Sequence, residues 1–395
     1  MTGTTDTPTA GRARKRPADR RDRILAAAAR NFASVGFHET RLNVIAEEAG
    51  VSAPALYRHF SGKYELFATA LIDLAGRLTA AADAVPTGDD PRQEISAVLR
   101  ALAVTALDNR ESGNIYRREP RLLNDEDWRA LSALSGTWRA RLCTLLQRLR
   151  PDLSYGDGRL LVTAAASIIA SPVTHRVALP RKTALAVLCG TAGAVLDLDL
   201  PAPAPSAGGE AGLVPLGRRE AVLTESIRLF ARHGFHEVTL EQIGAAAGLP
   251  PSGVYRHFQS KSAILAAALW RASERTTGAI TEGLAQATTP HEALIALAGE
   301  YSALCVDDRA IMTVYLRDMN ALDAADQRSL RRQQRRNVDE WATWLQHARP
   351  EVSSATARYL VHAALSVATD LTISYRDADA DTVAVLVAAV LTGDP

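Results

Sequence analysis

The tetrapeptide Tyr-Arg-His-Phe occurs twice in this chain, at 57–60 and at 255–258, and a lysine follows each copy, at Lys63 and Lys261. Phenol, guanidinium, imidazole and ammonium groups all donate hydrogen bonds, and donors of this kind contact the phosphate oxygens of nucleic acids. The phenylalanine of each copy is spaced to face the other way, into an apolar core. The pattern predicts two similar clusters of hydrogen-bond donors, each carried by a helix.

Motifs for catalysis or metal binding are missing from the sequence. It has no phosphate-binding loop, nucleophile elbow, metal triad or pair of carboxylates at catalytic spacing. The histidines have no cysteine or carboxylate at ligand spacing, and the three cysteines form no Cys-x-x-Cys pair. We therefore expect no enzyme activity, no metal and no cofactor, against the alternative of an enzyme or lipid carrier built on a helical scaffold.

Composition is typical of a soluble globular protein, with 395 residues, 47% hydrophobic and 23% charged. The net charge is only +1, so affinity for nucleic acid would have to come from local basic clusters. No apolar run is long enough to span a membrane, and the N-terminus lacks a secretory pattern. Scattered cysteines fit a reducing compartment, so we expect a cytoplasmic protein that does not bind membranes.

The elements that position the two clusters belong to an internal repeat. A shift of 198 residues brings Arg20–Lys63 onto Arg218–Lys261 with 19 identities in 44 positions, and the match continues further along at a shift of 199. Ala-Pro and Gly-rich sequence between the copies, at 197–215, predicts an extended linker. One unit of nearly 200 residues is therefore present twice.

Both units predict helices throughout, because apolar residues recur at helical spacing and strand alternation is absent. In each unit a first helix ends at a glycine, Gly36 or Gly234, and a short second helix follows. Thr239 with Gln242 predicts a capping box at the start of that helix in the second unit, where the first unit has a less regular cap. A glycine-containing turn and a third short helix complete a helix-turn-helix in each copy.

The segment "ILAAAARNFASVGFHETRLNVIAEEAGVSAPALYRHFSGKYEL" resembles the N-terminal DNA-binding domain of the TetR/AcrR repressors, and "VLTESIRLFARHGFHEVTLEQIGAAAGLPPSGVYRHFQSKSAIL" resembles it equally well. The double-length chain resembles the single-chain tandem TetR repressors of actinobacteria, including the mammalian-cell-entry operon type. The resemblance implies an all-α fold of two tandem units. Each unit would have an N-terminal three-helix helix-turn-helix domain and a C-terminal helical ligand and dimerisation domain.

The predicted organisation begins with a disordered basic arm at 1–18, helix-turn-helix domain 1 at 19–64 and helical ligand and dimerisation domain 1 at 65–196. The linker at 197–215, helix-turn-helix domain 2 at 216–262 and helical ligand and dimerisation domain 2 at 263–395 follow. The arm, basic up to residue 23, is expected to follow phosphates or enter a minor groove, against the alternative of a solvated tail.

Candidate DNA contacts surround both tetrapeptides. The resemblance implies a phosphate contact for each tyrosine, against half-buried packing, and a backbone-holding charge for each lysine, against a solvated surface lysine. The arginine and histidine of each copy are open between phosphate contacts and surface polar residues. The candidates are Arg41, Tyr57, Arg58, His59 and Lys63 in the first unit, and Thr239, Tyr255, Arg256, His257 and Lys261 in the second.

Base readout is expected from the first turn of each third helix, because the N-terminal residues of a recognition helix reach base edges. These residues are Ser52, Ala53, Pro54 and Ala55 in the first unit, and Pro250, Pro251, Ser252 and Gly253 in the second. None matches its counterpart, although the flanking candidates do match. We therefore expect an operator with two non-identical half-sites, read through thymine methyls and hydroxyl hydrogen bonds.

The C-terminal parts are expected to pair with each other. In the resembled family two late helices of each subunit build a four-helix dimer interface, and the matching pairs are about 125–149 with 157–177 and about 323–348 with 353–376. The duplication suggests an intramolecular pseudo-dimer, so that the chain acts as a monomer. A true homodimer with four helix-turn-helix domains is the alternative.

A Tyr-x-Arg-acid pattern recurs in these parts, as Tyr116, Arg118 and Glu119 and as Tyr315, Arg317 and Asp318. The open interpretations are a salt bridge on a helix surface, or residues that line a ligand pocket and relay its state to the DNA-binding domains. Helices rich in Ala, Leu and Val would line a tunnel for a lipid-like, steroid-like or acyl-thioester effector, the class that the resemblance implies. We expect a repressor that binds double-stranded DNA and is released by such an effector. The alternative is a DNA-binding regulator without a small-molecule effector, either protein-partnered or an activator.

Overall fold

The computed structural model describes residues 17–118, 120–201 and 217–393, and within these ranges the chain forms helices and no β-strand. The predicted arm over 1–16, Glu119 and the linker from 202 onward lie outside the described residues. The first helix already begins at Pro17, two residues before the predicted domain boundary. No helix in the described ranges combines the length and the apolar character that a membrane span requires.

The first unit contains nine helices in the described ranges. They are α1 (Pro17–Glu39), α2 (Leu42–Glu48), α3 (Ala53–Tyr57), α4 (Lys63–Asp83), α5 (Pro91–Asp108), α6 (Arg110–Arg118), α7 (Asp125–Leu149), α8 (Tyr155–Ala170) and α9 (Arg181–Leu196). Short 3-10 turns lie at Pro120–Leu122 and Ser171–Thr174.

The second unit repeats this order. Its helices are α10 (Arg218–His233), α11 (Leu240–Ala246), α12 (Pro251–Tyr255), α13 (Lys261–Gln286), α14 (Pro290–Asp307), α15 (Arg309–Asp318), α16 (Ala324–Ala348), α17 (Ser354–Ser374) and α18 (Ala380–Thr392), with a 3-10 turn at Met319–Ala321.

Local sequence determines how each helix-turn-helix begins. Gly36 and Gly234 have φ angles of 84° and 88°, a region that favours glycine. Gly36 kinks α1 before its last turn, and Gly234 ends α10. The predicted capping box is confirmed, since Thr239 accepts from the Gln242 backbone N–H and the Gln242 side chain accepts from the Thr239 backbone N–H. In the first unit Arg41 occupies the equivalent position without a side-chain cap.

The apolar side of each third helix closes the core of its domain. Leu56 and Phe60 are 0% and 1% exposed, and Val254 and Phe258 are 0% and 6% exposed, which confirms the predicted inward orientation. The core of the first DNA-binding domain forms a cluster with α4 and with Ile115, Leu123 and Leu131 of the first ligand domain, separate from the main core. The core of the second DNA-binding domain is continuous with that main core.

The two units pair within the chain through helices α8 and α17, as the pseudo-dimer prediction requires. The Thr163 and Tyr375 hydroxyls lie 2.9 Å apart across this contact, and the rings of His175 and His362 stack at 4.3 Å. The predicted second helix of each pair was wrong. The helices α7 and α16 pack inside their own units, and α9 and α18 meet across the boundary instead. The Ala- and Val-rich α9 and α18 suit such a contact, whereas α16 carries many arginines.

Candidate nucleic-acid interface and cavity

The two third helices present their tyrosines outward. Tyr57 in α3 and Tyr255 in α12 are 55% and 56% exposed, and the arginine after each tyrosine is also exposed. Because Phe60 and Phe258 anchor the other side of the same turns, the phenol groups are held on the solvent face. Both domains therefore present the same donor face, in keeping with the predicted phosphate contacts.

The first turns of these helices differ in structure as well as in sequence. Ser52 caps α3 by accepting from the Ala55 backbone N–H at 3.3 Å, whereas Pro250 provides no side-chain cap to α12. Gly253 is buried, and it packs so closely that a Cβ at this position would lie 3.3 Å from the Leu249 side chain. Gly253 therefore lies on the inner side of the first turn and is not exposed for the base contact that the sequence predicted.

The two lysines close the turn between the first and second helices. Lys261 Nζ donates to the backbone oxygens of Phe235 at 2.8 Å, His236 at 3.3 Å and Val238 at 2.7 Å. In the first unit Lys63 Nζ donates to the backbone oxygens at 38 and 40, at 3.0 and 3.2 Å. Three carbonyl contacts occupy the three hydrogens of the Lys261 ammonium, so this lysine has an internal role that the resemblance did not indicate.

The two DNA-binding domains touch each other. The rings of His38 and His236 stack with centroids 4.1 Å apart, directly beyond the two turn glycines. Burial lowers the pKa of both imidazoles, and for His236 to about 4, with Lys63 and Lys261 adding to the effect on the histidine of their own unit. Both rings are therefore neutral at pH 7, which permits the stacked contact.

An ion pair between the units lies beside this contact. Arg121 of the first unit donates to Asp318 of the second at 3.1 Å, and Asp318 is only 4% exposed. Burial raises the pKa of the Asp318 carboxyl, and the Arg121 guanidinium opposes that rise. The guanidinium of Arg121 lies so close to Gly234 that a Cβ at that position would collide with it. The pair thus connects both ligand domains to the turn of the second DNA-binding domain.

A cavity of about 1380 Å³ lies between the two units. Its wall includes Tyr116, Tyr315 and Arg317 from the Tyr-x-Arg-acid pattern, whereas Asp318 lies next to it in the ion pair with Arg121. Glu119 lies outside the described residues. The wall is not the apolar tunnel that we expected, because arginines of several helices meet there once the units pair. These arginines are Arg117, Arg121, Arg139, Arg176, Arg317, Arg331, Arg335 and Arg358.

Sequence reasoning missed Arg117 and Arg121. Arg117 forms an ion pair with Asp370 of α17 at 2.7 Å and donates to the hydroxyls of Ser366 and Thr369, which joins α6 to the opposite unit. In the repeat alignment Arg117 lies over a leucine and Arg121 over an asparagine. The same mismatch criterion that singled out the first turns could therefore have identified them.

Within the described residues, no group of three or more His, Cys, Asp or Glu side chains is arranged to hold a metal ion. The histidine pairs are packed ring on ring, with burial lowering the pKa of His175 to about 2 and that of His362 to about 4. The arrangement therefore offers hydrogen-bond donors and a cavity, which are features of a binding protein.

Comparison with known proteins agrees with this description. A family model described as "Bacterial regulatory proteins, tetR family" matches residues 24–70 and 222–268. In Mycolicibacterium smegmatis, the transcriptional activator FasR is 38% identical over 84 residues, which cover 21% of this chain and 38% of FasR. The transcriptional repressor KstR2 from the same organism is 32% identical over 114 residues, which cover 28% of this chain and 54% of KstR2. The chain thus spans less than two thirds of either relative.

Among solved structures, the ketosteroid transcriptional regulator KstR2 of Mycobacterium tuberculosis aligns with 45% of this chain and 95% of its own length, at 19% identity and a TM-score of 0.40. The two family matches each contain one Tyr-Arg-His-Phe copy together with the helices that position it. This chain therefore carries the N-terminal domain of the tetR family of bacterial regulatory proteins twice in tandem.

Proposed function

We propose that the chain is a DNA-binding transcriptional regulator whose two helix-turn-helix domains bind one double-stranded operator. The observation that carries this proposal is the equal exposure of Tyr57 and Tyr255, 55% and 56%, at the same place in two domains of one chain. Phenol and guanidinium groups placed in this way can donate to phosphate oxygens on either side of a groove. The relatives FasR and KstR2 are both named as transcriptional regulators, which supports the assignment.

The two half-sites of this operator are proposed to differ. In the first unit a hydroxyl, Ser52, begins the exposed turn, whereas in the second unit two prolines precede Ser252. Methyl and proline groups can contact thymine methyls. The Ser252 hydroxyl lies two positions later in its turn than the Ser52 hydroxyl does, so the two hydroxyls would contact different base edges. A homodimer cannot differ in this way, because both of its recognition helices have one sequence. The chain is proposed to act as a monomer that pairs its units through α8 and α17, against the alternative of a homodimer.

We further propose that the regulator is a cytoplasmic repressor released by a small-molecule effector. Arg121 and Arg317 line the cavity between the units and also the small space beside the His38–His236 contact. A ligand in the cavity can therefore change the position of one DNA-binding domain relative to the other. It lowers DNA affinity if it binds better to a state whose recognition helices are mis-spaced for the operator.

Selection of bound DNA from a random pool, followed by affinity measurements, tests the operator proposal. We expect a mixed site to bind at least about tenfold more tightly than a palindrome of either half-site. Equal affinity for a palindrome and the mixed site would overturn the asymmetry. Light scattering of the complex measures whether one chain or two bind each operator.

A transplant of the first turn sharpens the test. The quadruple variant S52P/A53P/P54S/A55G gives α3 the first turn of α12, and a glycine at 55 adds no atoms. We expect this variant to prefer a palindrome of the second half-site. The single variant S52P is the control, because it also removes the Ser52 cap, at a cost of about 1 kcal/mol. A quadruple variant that keeps the mixed-site preference would show that readout lies elsewhere.

A further inference from the structure

The cavity between the units is lined unequally by the two copies of the repeat. Its apolar wall comes from α4, α5 and α8 of the first unit, and includes Leu74, Leu78, Leu102, Ala106 and Ile169. The second unit contributes the opposite side from α15, α16 and α17. A molecule in this cavity would therefore touch both units at once, with its apolar part against the first unit.

The equivalent space inside the second unit is occupied by larger side chains. When the repeat is aligned with a shift of 199 residues, Leu102, Ala106 and Gly113 of the first unit align with larger residues of the second. These are Tyr301, Cys305 and Met312. These three side chains of the second unit are buried, at 6%, 0% and 3% exposure. Trp341, which stands for Leu142, packs edge-on against Tyr301 with ring centroids 5.9 Å apart. The larger side chains therefore leave less space at these positions of the second unit than at the matching positions of the first.

Positive charge is in excess around the cavity that remains. Arg117 and Arg358 are neutralised by Asp370 and Asp339, at 2.7 and 2.6 Å. Five other lining arginines form no ion pair with a carboxylate of the described residues, namely Arg139, Arg176, Arg317, Arg331 and Arg335. The exposed Arg331 and Arg335 lie one helical turn apart on α16, a spacing that suits one anionic group.

Two buried donors in the wall also lack a partner among the described residues, namely Trp138 Nε1 and His175 Nε2. The Val177 backbone N–H donates to His175 Nδ1 at 3.1 Å, so the hydrogen of the neutral ring is on Nε2. Buried donors without an acceptor destabilise a protein, and a ligand with oxygen acceptors would relieve that cost. The wall therefore favours a ligand with both apolar carbon and acceptor oxygens.

We infer that each chain binds one amphipathic anion at the boundary between its units, with the apolar body against α5 and α8 and the anionic group at the arginines of α16. Because larger side chains occupy the equivalent positions of the second unit, we expect the chain to bind one molecule and not one per repeat. The inference rests on the proposed function only where it identifies this ligand with the proposed effector. Binding itself can be measured without DNA.

Calorimetric titration of the full chain tests the inference, with three probes that share one hydrocarbon chain. Oleate supplies a carboxylate, oleoyl-coenzyme A supplies phosphates, and oleyl alcohol is neutral. We expect one site per chain for whichever anion binds, and binding of oleyl alcohol weaker by at least about tenfold. The comparison of oleate with oleoyl-coenzyme A shows which anionic group the arginines prefer. Two sites per chain, or equal binding of the neutral alcohol, would overturn the inference.

Two variants locate the site. Leu102→Tyr copies Tyr301 of the second unit into the cavity, and we expect it to abolish binding without unfolding the chain. The pair R331Q/R335Q should weaken binding of the anion by about tenfold. The matched control R332Q/R336Q changes the same charge on α16 at exposed arginines that do not line the cavity, and should leave affinity unchanged.

Equal losses in the two arginine pairs, or undiminished binding by Leu102→Tyr, would refute the site. The effect of the ligand on operator affinity is measured separately from ligand binding. A chain that binds one anion at this site but keeps its operator would retain the inferred site and refute release by an effector. A chain that fails to bind DNA at all would refute the proposed function and leave the ligand result standing.

Discussion

The imidazole rings of His38 and His236 stack with centroids 4.1 Å apart and planes inclined by 25°. The two residues are equivalent in the repeat, 198 positions apart, so the two DNA-binding domains contact each other through the same position of each copy. Each lies two residues beyond a glycine of positive φ, Gly36 at the kink of α1 and Gly234 at the end of α10. The contact therefore limits how far apart the two recognition helices can move.

We expect this contact to weaken in acid. Both histidines have a pKa below the ordinary value, because burial and their neighbours disfavour the charged ring. A lowered folded-state pKa means that the stabilisation is fully present above the unfolded value of about 6.5 and is lost as pH falls toward about 4. The charged groups that face the pair are Glu39, Glu237, Lys63, Lys261 and Arg121.

Spin-label distances between α2 and α11 would measure the separation of the domains. We expect it to widen as pH falls from 6.5 toward 4 in the native chain, and to stay constant in the double variant H38F/H236F, whose rings stack without titrating. The variant also separates this effect from the buried His175–His362 pair, which titrates elsewhere in the chain. A constant distance in the native chain would show that the stack does not control spacing.

Removing one tyrosine hydroxyl should weaken DNA binding. We expect Tyr57→Phe and Tyr255→Phe each to reduce affinity by about fivefold, since a net hydrogen bond contributes about 1 kcal/mol. Any change in the salt dependence should be small, because a phenol is neutral and releases no counterion. The control is Tyr155→Phe, which removes a hydroxyl that is 71% exposed at the start of α8. If Tyr155→Phe weakens DNA binding as much as the other two variants do, Tyr57 and Tyr255 have no specific role in binding DNA.

The lysines after the tetrapeptides should act through stability. Lys261→Met removes three hydrogen bonds to backbone carbonyls, and we expect unfolding to become easier by about 2 kcal/mol. Lys63→Met should cost less, because its ammonium has two such contacts. Chemical denaturation measures both, with the exposed Lys182→Met as the control. A variant of full stability whose DNA affinity depends less on salt would favour the phosphate contact implied by the resemblance.

The Arg121–Asp318 pair should show strong coupling. Arg121→Met leaves the Asp318 carboxylate buried without its cation, at a cost of about 3 kcal/mol. The double variant R121M/D318N should cost less than the sum of the single variants, because it leaves no unpaired charge. The exposed pair Arg92–Asp197 is the control, and Arg92→Met should cost less than about 1 kcal/mol. Additive losses at Arg121 and Asp318 in denaturation would show that the pair does not link the units.

The sequence by itself determined the repeat, the helix-turn-helix domains and the outward tyrosines. These features depend on neighbouring residues: the Thr239–Gln242 cap, the turn glycines and the inward Phe60 and Phe258 all operate within a few positions of one another. Patterns of this kind can be recognised from the sequence alone, because the residues involved lie close together along the chain. The differing first turns were also visible, because the repeat supplied its own reference.

Tertiary structure alone decided which helices meet across the units, what the lysines contact and where the arginines gather. Arg117 reaches Asp370 across more than 250 positions of sequence, and His38 reaches His236 across 198. Such contacts depend on the packing angle of whole helices and on which apolar faces pair, and no local pattern encodes either. The charged cavity, the α9–α18 contact and the internal role of Lys261 therefore became visible only in the folded chain.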